Sequence, residues 1–284
     1  MASSVEYRNK LYYDYDIGRI ADAIRSKNGS SDTYTVAEMS GAIRNIAFEL
    51  PANTRLACST WSTMPSNIRI TPRSTMSYMF YNCQYLTTAP ELDTSSTTNM
   101  SSMFYQNTAL TSVPLYNTSL VTNFHSTFNK CQALANVPLF DTSAAQDMGY
   151  MFFNCNSITS APLLDMSSAT DVSYMYGSCQ GLTSVPSINT SSAQNMAYMF
   201  SHCGLLTDIP ELDMSSVTAL DFIFYECPAL SNTSLQNILK SLLTATSYSG
   251  NKSLKRVGLS QAQSDICVGF PEWSTLSSNG WIAV

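Results

Sequence analysis

The sequence predicts an α/β solenoid, and three columns of residues predict it. Cysteine recurs as Cys83, Cys131, Cys155, Cys179, Cys203 and Cys227, with Asn107 filling the one missing step. Proline recurs without a gap as Pro90, Pro114, Pro138, Pro162, Pro186 and Pro210. Asp or Asn follows three residues after each proline, from Asp93 to Asp213. All three columns step by 24 residues, giving six full units and a partial seventh between Met76 and Leu230. A fixed period of this size means stacked coils, each burying its apolar side only against its neighbours.

Within a coil the apolar residues follow two rules. Met196, Met199, Phe200 and Cys203 stand at i, i+3, i+4 and i+7, as do Met148, Met151, Phe152 and Cys155. That spacing predicts one face of a short helix. The polar column before it, Asn99, Asn123, Asp147, Asp171 and Asn195, supplies N-caps. After the cysteine, runs such as Leu182-Thr-Ser-Val-Pro186 predict a strand. Proline has no N–H to give a ladder, so such strands are about three or four residues long. Leu92, Leu164, Ile188 and Leu212 then turn inward, and the Asp or Asn that follows closes an Asx-turn.

The phrase Asn195-Met-Ala-Tyr-Met-Phe200-Ser-His-Cys203-Gly-Leu-Leu206-Thr, followed by Leu212-Asp-Met-Ser, resembles the BspA-like leucine-rich repeats of bacterial surface proteins. The resemblance covers Met76–Leu230 and implies a leucine-rich-repeat solenoid acting as a binding module without enzymatic activity. The prolines depart from its usual Leu-x-Leu strand.

Composition narrows the partners. The formal charge is −6 with a pI near 4.8, which argues against nucleic acid and against an anionic membrane surface. Only 12% of residues are charged, so Ser, Thr and Asn supply most of the solvent face. Six of the eight cysteines share one inward column and act as small buried hydrophobes, expected as free thiols. No CxxC or HxxxH spacing marks a metal site.

Before the solenoid, Ile17, Ile20 and Ile24 share one helical face behind Asp16, with Gly29 past its end. Thr35-Val-Ala-Glu38 is a capping box opening a second helix, whose face includes Met39, Ile43 and Ile46. This N-terminal helical hairpin, Asp16–Gly29 with Tyr34–Ile43, resembles a segment common in tail and minor structural proteins of phages infecting Gram-positive bacteria. The resemblance implies a virion protein attached through that hairpin to other virion proteins. Residues 1–10 lack the apolar core of a signal peptide, which fits synthesis in the bacterial cytoplasm and location in the phage particle. The expected domains are 1–50 for arm and attachment hairpin, 51–230 for the solenoid, and 231–284 for a C-terminal α/β cap. In the cap, Ser234 is expected to start a helix bearing Leu235, Ile238, Leu239 and Leu242. Ser260 is expected to start another bearing Ala262 and Ile266. Gly280–Val284 reads as a last strand.

No catalytic, cofactor-binding or metal-binding residues are predicted. His125 and His202 occupy different repeat positions, and no triad or carboxylate pair stands out among so many serines. The Asp/Asn columns are expected to cap turns rather than to hold calcium. The aromatics carry the candidate surface. On a helical wheel the position of Tyr78, Ser102, Ser126, Tyr150, Tyr174, Tyr198 and Phe222 faces solvent, flanked by Tyr81, Tyr105, Phe153 and Tyr225. Such a ladder is either an interface or a set of rings that stack only on one another. The expected function is a non-enzymatic virion protein, with a host surface protein or glycan as ligand and a homo-oligomeric state. The alternatives are a bacterial surface adhesin and, against the missing catalytic constellation, a glycan-active tail enzyme.

Overall fold

The computed structural model describes residues 72–283, with Leu56, Cys58, residues 62–64 and Ile70 before them. The N-terminal hairpin and its face of Ile17, Ile20, Ile24, Met39, Ile43 and Ile46 lie outside the described residues.

From residue 72 to residue 230 the chain is a solenoid of 24-residue coils, and the expected inward side chains are inward. Met196, Met199, Phe200 and Cys203 are fully buried, as are their equivalents one and two coils earlier. The expected helix is not there. Each coil instead carries two residues in the left-handed region, four apart, such as Tyr198 (φ 58°) and His202 (φ 59°). Helix cannot run through such residues. What forms is a chain of reverse turns with alternating bonds. The N–H groups of Met199, Ser201 and Cys203 close turns onto Met196, Tyr198 and Phe200 of the same coil. Those of Met196, Tyr198, Phe200 and His202 donate to Ala219, Asp221, Ile223 and Tyr225 of the next. A left-handed L-residue costs about 1–2 kcal/mol. At Tyr198 the inter-coil hydrogen bond, worth roughly 1 kcal/mol net, and the ring contacts offset it.

The core is a file of rings. Phe80, Phe104, Phe128, Phe152, Tyr176, Phe200 and Phe224 stack nearly parallel, with centroids 5.3–5.8 Å apart. Beside it runs the cysteine column. The thiols of Cys131, Cys155, Cys179, Cys203 and Cys227 each donate to a backbone carbonyl of the preceding coil at 3.0–3.1 Å. These five are buried and free as expected. Cys83 is not: it is disulfide-paired with Cys58, Cα–Cα 5.1 Å. Cys58 belongs to the coil before the first regular one, where Leu56 N–H donates to Met79 O.

The proline half of the coils holds single parallel bridges rather than strands of three or four residues, and the coil of Pro138 has none. Thr88 pairs with Ser112, Ser160 with Ser184, and Ser184 with Asp208. A second, unbroken row of bridges joins Thr75 to Asn99 and so on to Ala219. The side chains expected as N-caps in that row accept from the N–H two residues on, for instance Asn123 Oδ1 from His125 at 2.9 Å, so they close turns instead of starting helices. The expected Asx-turns do form. Asp141 Oδ1 accepts both the N–H and the hydroxyl of Ser143, and the same holds at Asp93, Asn117 and Asn189.

The C-terminal cap holds all the helices of the described residues: α1 (Asn232–Thr244), α2 (Leu254–Val257), α3 (Gln261–Cys267) and α4 (Glu272–Ser278). Ser231, not Ser234, caps α1. The Ser234 hydroxyl works instead with Ser241 and Thr244, and the three accept the N–H groups of Ile209, Leu212 and Met214. One polar stripe of α1 thus satisfies the open edge of the last coil. Residues 256 and 257 imitate the missing next coil, accepting from Phe222 and Phe224 N–H. Gly258 (φ 104°) passes so close that a Cβ there would lie 2.4 Å from Tyr225 N. Ser260 caps α3 in a full capping box, yet Ala262 and Ile266 are exposed and Gln263, Ser264 and Cys267 are buried. The last strand reduces to one bridge, Ser253 with Ile282.

Candidate functional site

The candidate aromatic surface sits on the turn half of the coils, and the left-handed residues place it there. At Tyr150, Tyr174 and Tyr198 the positive φ turns Cβ away from the core, while the N–H keeps its bond to the next coil. Tyr150 stacks on Tyr174 and Tyr174 on Tyr198, both at 4.5 Å. Burial raises the phenols of Tyr150 and Tyr174 above the usual range. Phe222 continues the row, tilted at 5.3 Å, and Tyr225 meets Phe222 edge-on. Phe153 meets Tyr174 edge-on at 6.0 Å over Gly177, where a Cβ would stand 3.0 Å from the Phe153 ring. That glycine makes room for the ring.

The row is not continuous. Ser102 and Ser126, expected to face solvent, are buried, which splits the surface into two groups. The first holds Tyr78, Tyr81 and Tyr105, with Tyr81 and Tyr105 stacked at 4.7 Å. Lys130 lies over the Tyr105 ring at 5.4 Å. The second holds Tyr150, Phe153, Tyr174, Tyr198, Phe222 and Tyr225. It ends against the cap, where Arg256 pairs with Asp221 and covers the Phe222 ring at 4.8 Å. Beside that end opens a cleft of about 1070 Å³, whose walls include Leu205, Tyr225, Glu226, Lys255 and Gln261. His202 lies there too, with its Nδ1 2.8 Å from Glu226.

The other histidine is built in. His125 Nδ1 stands 3.1 Å from Asp147, over Gly149. The hydrogen bond to Asp147 raises the His125 pKa against the effect of burial. Burial pushes Asp147 up, but the bonds from His125 and Gly149 N–H outweigh it and hold the carboxyl below its usual value. His125 and His202 lie in different coils and share no partner. Among the described residues no group of three or more His, Cys, Asp or Glu could hold a metal ion. The exposed carboxyls Asp93, Asp141, Asp165 and Asp213 are held below their usual range by the serine hydroxyl and N–H two residues on.

One exposed column is absent from the sequence-based expectations. Leu115, Leu139 and Leu163 follow three successive prolines and are 68%, 70% and 59% exposed. Their 24-residue spacing is as plain as that of the cysteines, but the inward Tyr116, Phe140 and Leu164 beside them carry the stronger apolar signal.

Among solved structures, that of a leucine-rich-repeat protein of T. pallidum is similar at 20% identity and a TM-score of 0.47, covering 70% of this chain and 84% of that one. No curated protein matches the chain. A family described as "Mycoplasma protein of unknown function, DUF285" matches residues 74–185 and 163–252. Those matches span the regular coils and the start of the cap, well over half of the sequence, and the chain belongs to that family.

Proposed function

We propose that this protein is a non-enzymatic recognition module that meets a protein partner through the aromatic group Tyr150–Tyr225. One observation carries the reading. The rings stand in file with their faces covered by one another, so what they offer outward is ring edge and a row of hydroxyls. A sugar ring stacks on an open aromatic face, and this surface has few to give; a protein surface can use edges and hydroxyls. The glycan ligand and the glycan-active enzyme are correspondingly less well supported. The finer reading is a phage virion protein, attached to other virion proteins through the face of Ile17, Ile20, Ile24, Met39, Ile43 and Ile46. Its support is the resemblance of residues 16–43, and homo-oligomer formation belongs with it. Mass spectrometry of phage particles purified from the source strain tests it. The chain should be present at the level of the other tail proteins. Finding it in the cell envelope and absent from particles would return the reading to a surface adhesin.

A further inference from the structure

The proline half of the coils has a chemistry of its own. Residues 86–98 and their five equivalents, down to 206–218, contain seven carboxylates and no Lys, Arg or His. Two are in the first segment, Asp141 and Asp165 in the third and fourth, and three in the sixth. On this face Leu115, Leu139 and Leu163 put a large exposed apolar side chain at one repeat position of three consecutive coils. They are held in file from both sides. Tyr116 and Phe140, the next residues, stack at 6.3 Å. The Thr118 and Thr142 hydroxyls donate to Asp141 O and Asp165 O, each at 2.8 Å. Asp141 and Asp165, two residues past Leu139 and Leu163, border the stripe with charge. In the fifth and sixth segments the leucine position is taken by Ser187 and Glu211, and in the first by Glu91.

We propose that this leucine stripe is a second docking surface, separate from the aromatic one, whose partner is a protein segment carrying Lys or Arg beside apolar side chains. Three considerations select that partner. An exposed apolar row on a face otherwise lined mostly with Ser, Thr and Asn marks an interaction site. The charge bordering it is all of one sign, and complementary potential is what sets partner choice. The chain also does this once to itself: α1 lies against the last coil and its Lys240 Nζ pairs at 2.8 Å with Glu211, which occupies the leucine column. A second copy of the chain would bring carboxylates against carboxylates. An anionic membrane is repelled for the same reason.

The test uses the full chain and a fluorescent peptide of about 14 residues alternating Leu and Lys, long enough when extended to cross three coils. A Ser/Lys peptide of equal charge is the control. The Leu/Lys peptide should bind about tenfold tighter than the control, and binding should weaken as salt rises. Replacing Leu115, Leu139 and Leu163 by Ser should cost about tenfold while leaving circular dichroism unchanged, since all three are exposed. Asp141→Asn with Asp165→Asn should cost a smaller factor. Asn keeps the turn, as Asn117 and Asn189 do in their coils. Tyr174→Ala with Tyr198→Ala should leave this affinity untouched. Equal binding of the Ser/Lys peptide, or of the triple-Ser protein, overturns the proposal. So does a wild-type dimer that the triple replacement converts to monomer, which would assign the stripe to a second copy.

Discussion

The two halves of each coil share one period and very different bonding. In the turn half, from the polar column to the cysteine, alternate N–H groups go to the next coil and the rest close turns, coil after coil. In the proline half the coils are tied mainly by single bridges and threonine hydroxyls, such as Thr94 to Asn117 O and Thr142 to Asp165 O. There the ladder also has a gap: Ala135, Asn136 and Val137 make no backbone bond to either neighbouring coil. The repeat therefore concentrates cohesion on one side. The turn half fixes the stack, and the proline half is free to vary in what it displays. The two proposed surfaces divide accordingly: aromatic rings locked in file on the turn half, single leucines and carboxylates on the other.

The largest expected effect comes from the thiols of the turn half. Burial raises Cys227 from 9.0 to about 12, and raises Cys131, Cys155, Cys179 and Cys203 as well. A raised acid pKa means that the folded state keeps a proton the unfolded chain has lost. Stability is thus complete below pH 9 and falls between pH 9 and about 12. The slope approaches about 1.4 kcal/mol per pH unit for each thiol held protonated, so stability should fall steeply above pH 9. Urea denaturation at pH 8, 9 and 10 measures it. A flat profile would mean that the column is open to water.

Side-chain truncation should separate the halves next. Phe200 is fully buried between Tyr176 and Phe224, 5.8 Å from each. Phe200→Ala is expected to cost about 3–5 kcal/mol, and because coils couple only to neighbours it should also split the melting transition. Leu163→Ala, at an exposed site of the proline half, should stay within about 0.5 kcal/mol. Calorimetry of both variants makes the comparison, and equal losses would erase the distinction between the halves.

How much of this is legible in the sequence depends on what period can and cannot encode. Spacing at i, i+3, i+4 and i+7 correctly puts Met196, Met199, Phe200 and Cys203 inside. It cannot tell helix from a chain of turns, because left-handed residues at 198 and 202 bring the same four side chains to one side. A signal is present: none of the fourteen left-handed non-glycine positions among the described residues holds Val, Ile or Thr, the residues that conformation excludes most strongly. The aromatic column is legible as a column, but its breaks at Ser102 and Ser126 follow from how those turns pack. The cap is legible as helices and not as an edge seal, because the bonds of Ser234, Ser241 and Thr244 with the last coil depend on docking. Gln106→Val tests the left-handed reading directly. At φ 61° it should cost about 1–2 kcal/mol, whereas Ser187→Val, exposed on the proline half, should be nearly neutral.

The smallest expected effect sharpens the comparison from inside the turn half, where one coil breaks the rule. Asn107 stands in the cysteine column and is fully buried. Its Oδ1 accepts Cys83 N–H at 2.7 Å, but its Nδ2 has no partner. At Cys131, Cys155, Cys179 and Cys203 the cysteine N–H closes a turn onto the aromatic residue three before it. The Cys155 thiol donates to the Phe128 carbonyl, 27 residues earlier. Asn107→Cys would offer the same two bonds: a thiol to Phe80 O, and Cys83 N–H freed to close its turn on Phe80. The variant trades one amide–carbonyl bond for relief of a buried, unsatisfied donor. An unmade buried bond costs about 1–3 kcal/mol and a made one returns about 1, so the net gain should be near 1 kcal/mol. Denaturation of wild type and variant side by side under reducing conditions, which opens Cys58–Cys83 in both and keeps the new thiol unpaired, reads the sign. A loss of stability would mean that the Asn107–Cys83 bond outweighs the orphaned Nδ2, and that this coil is built around its asparagine rather than merely tolerating it.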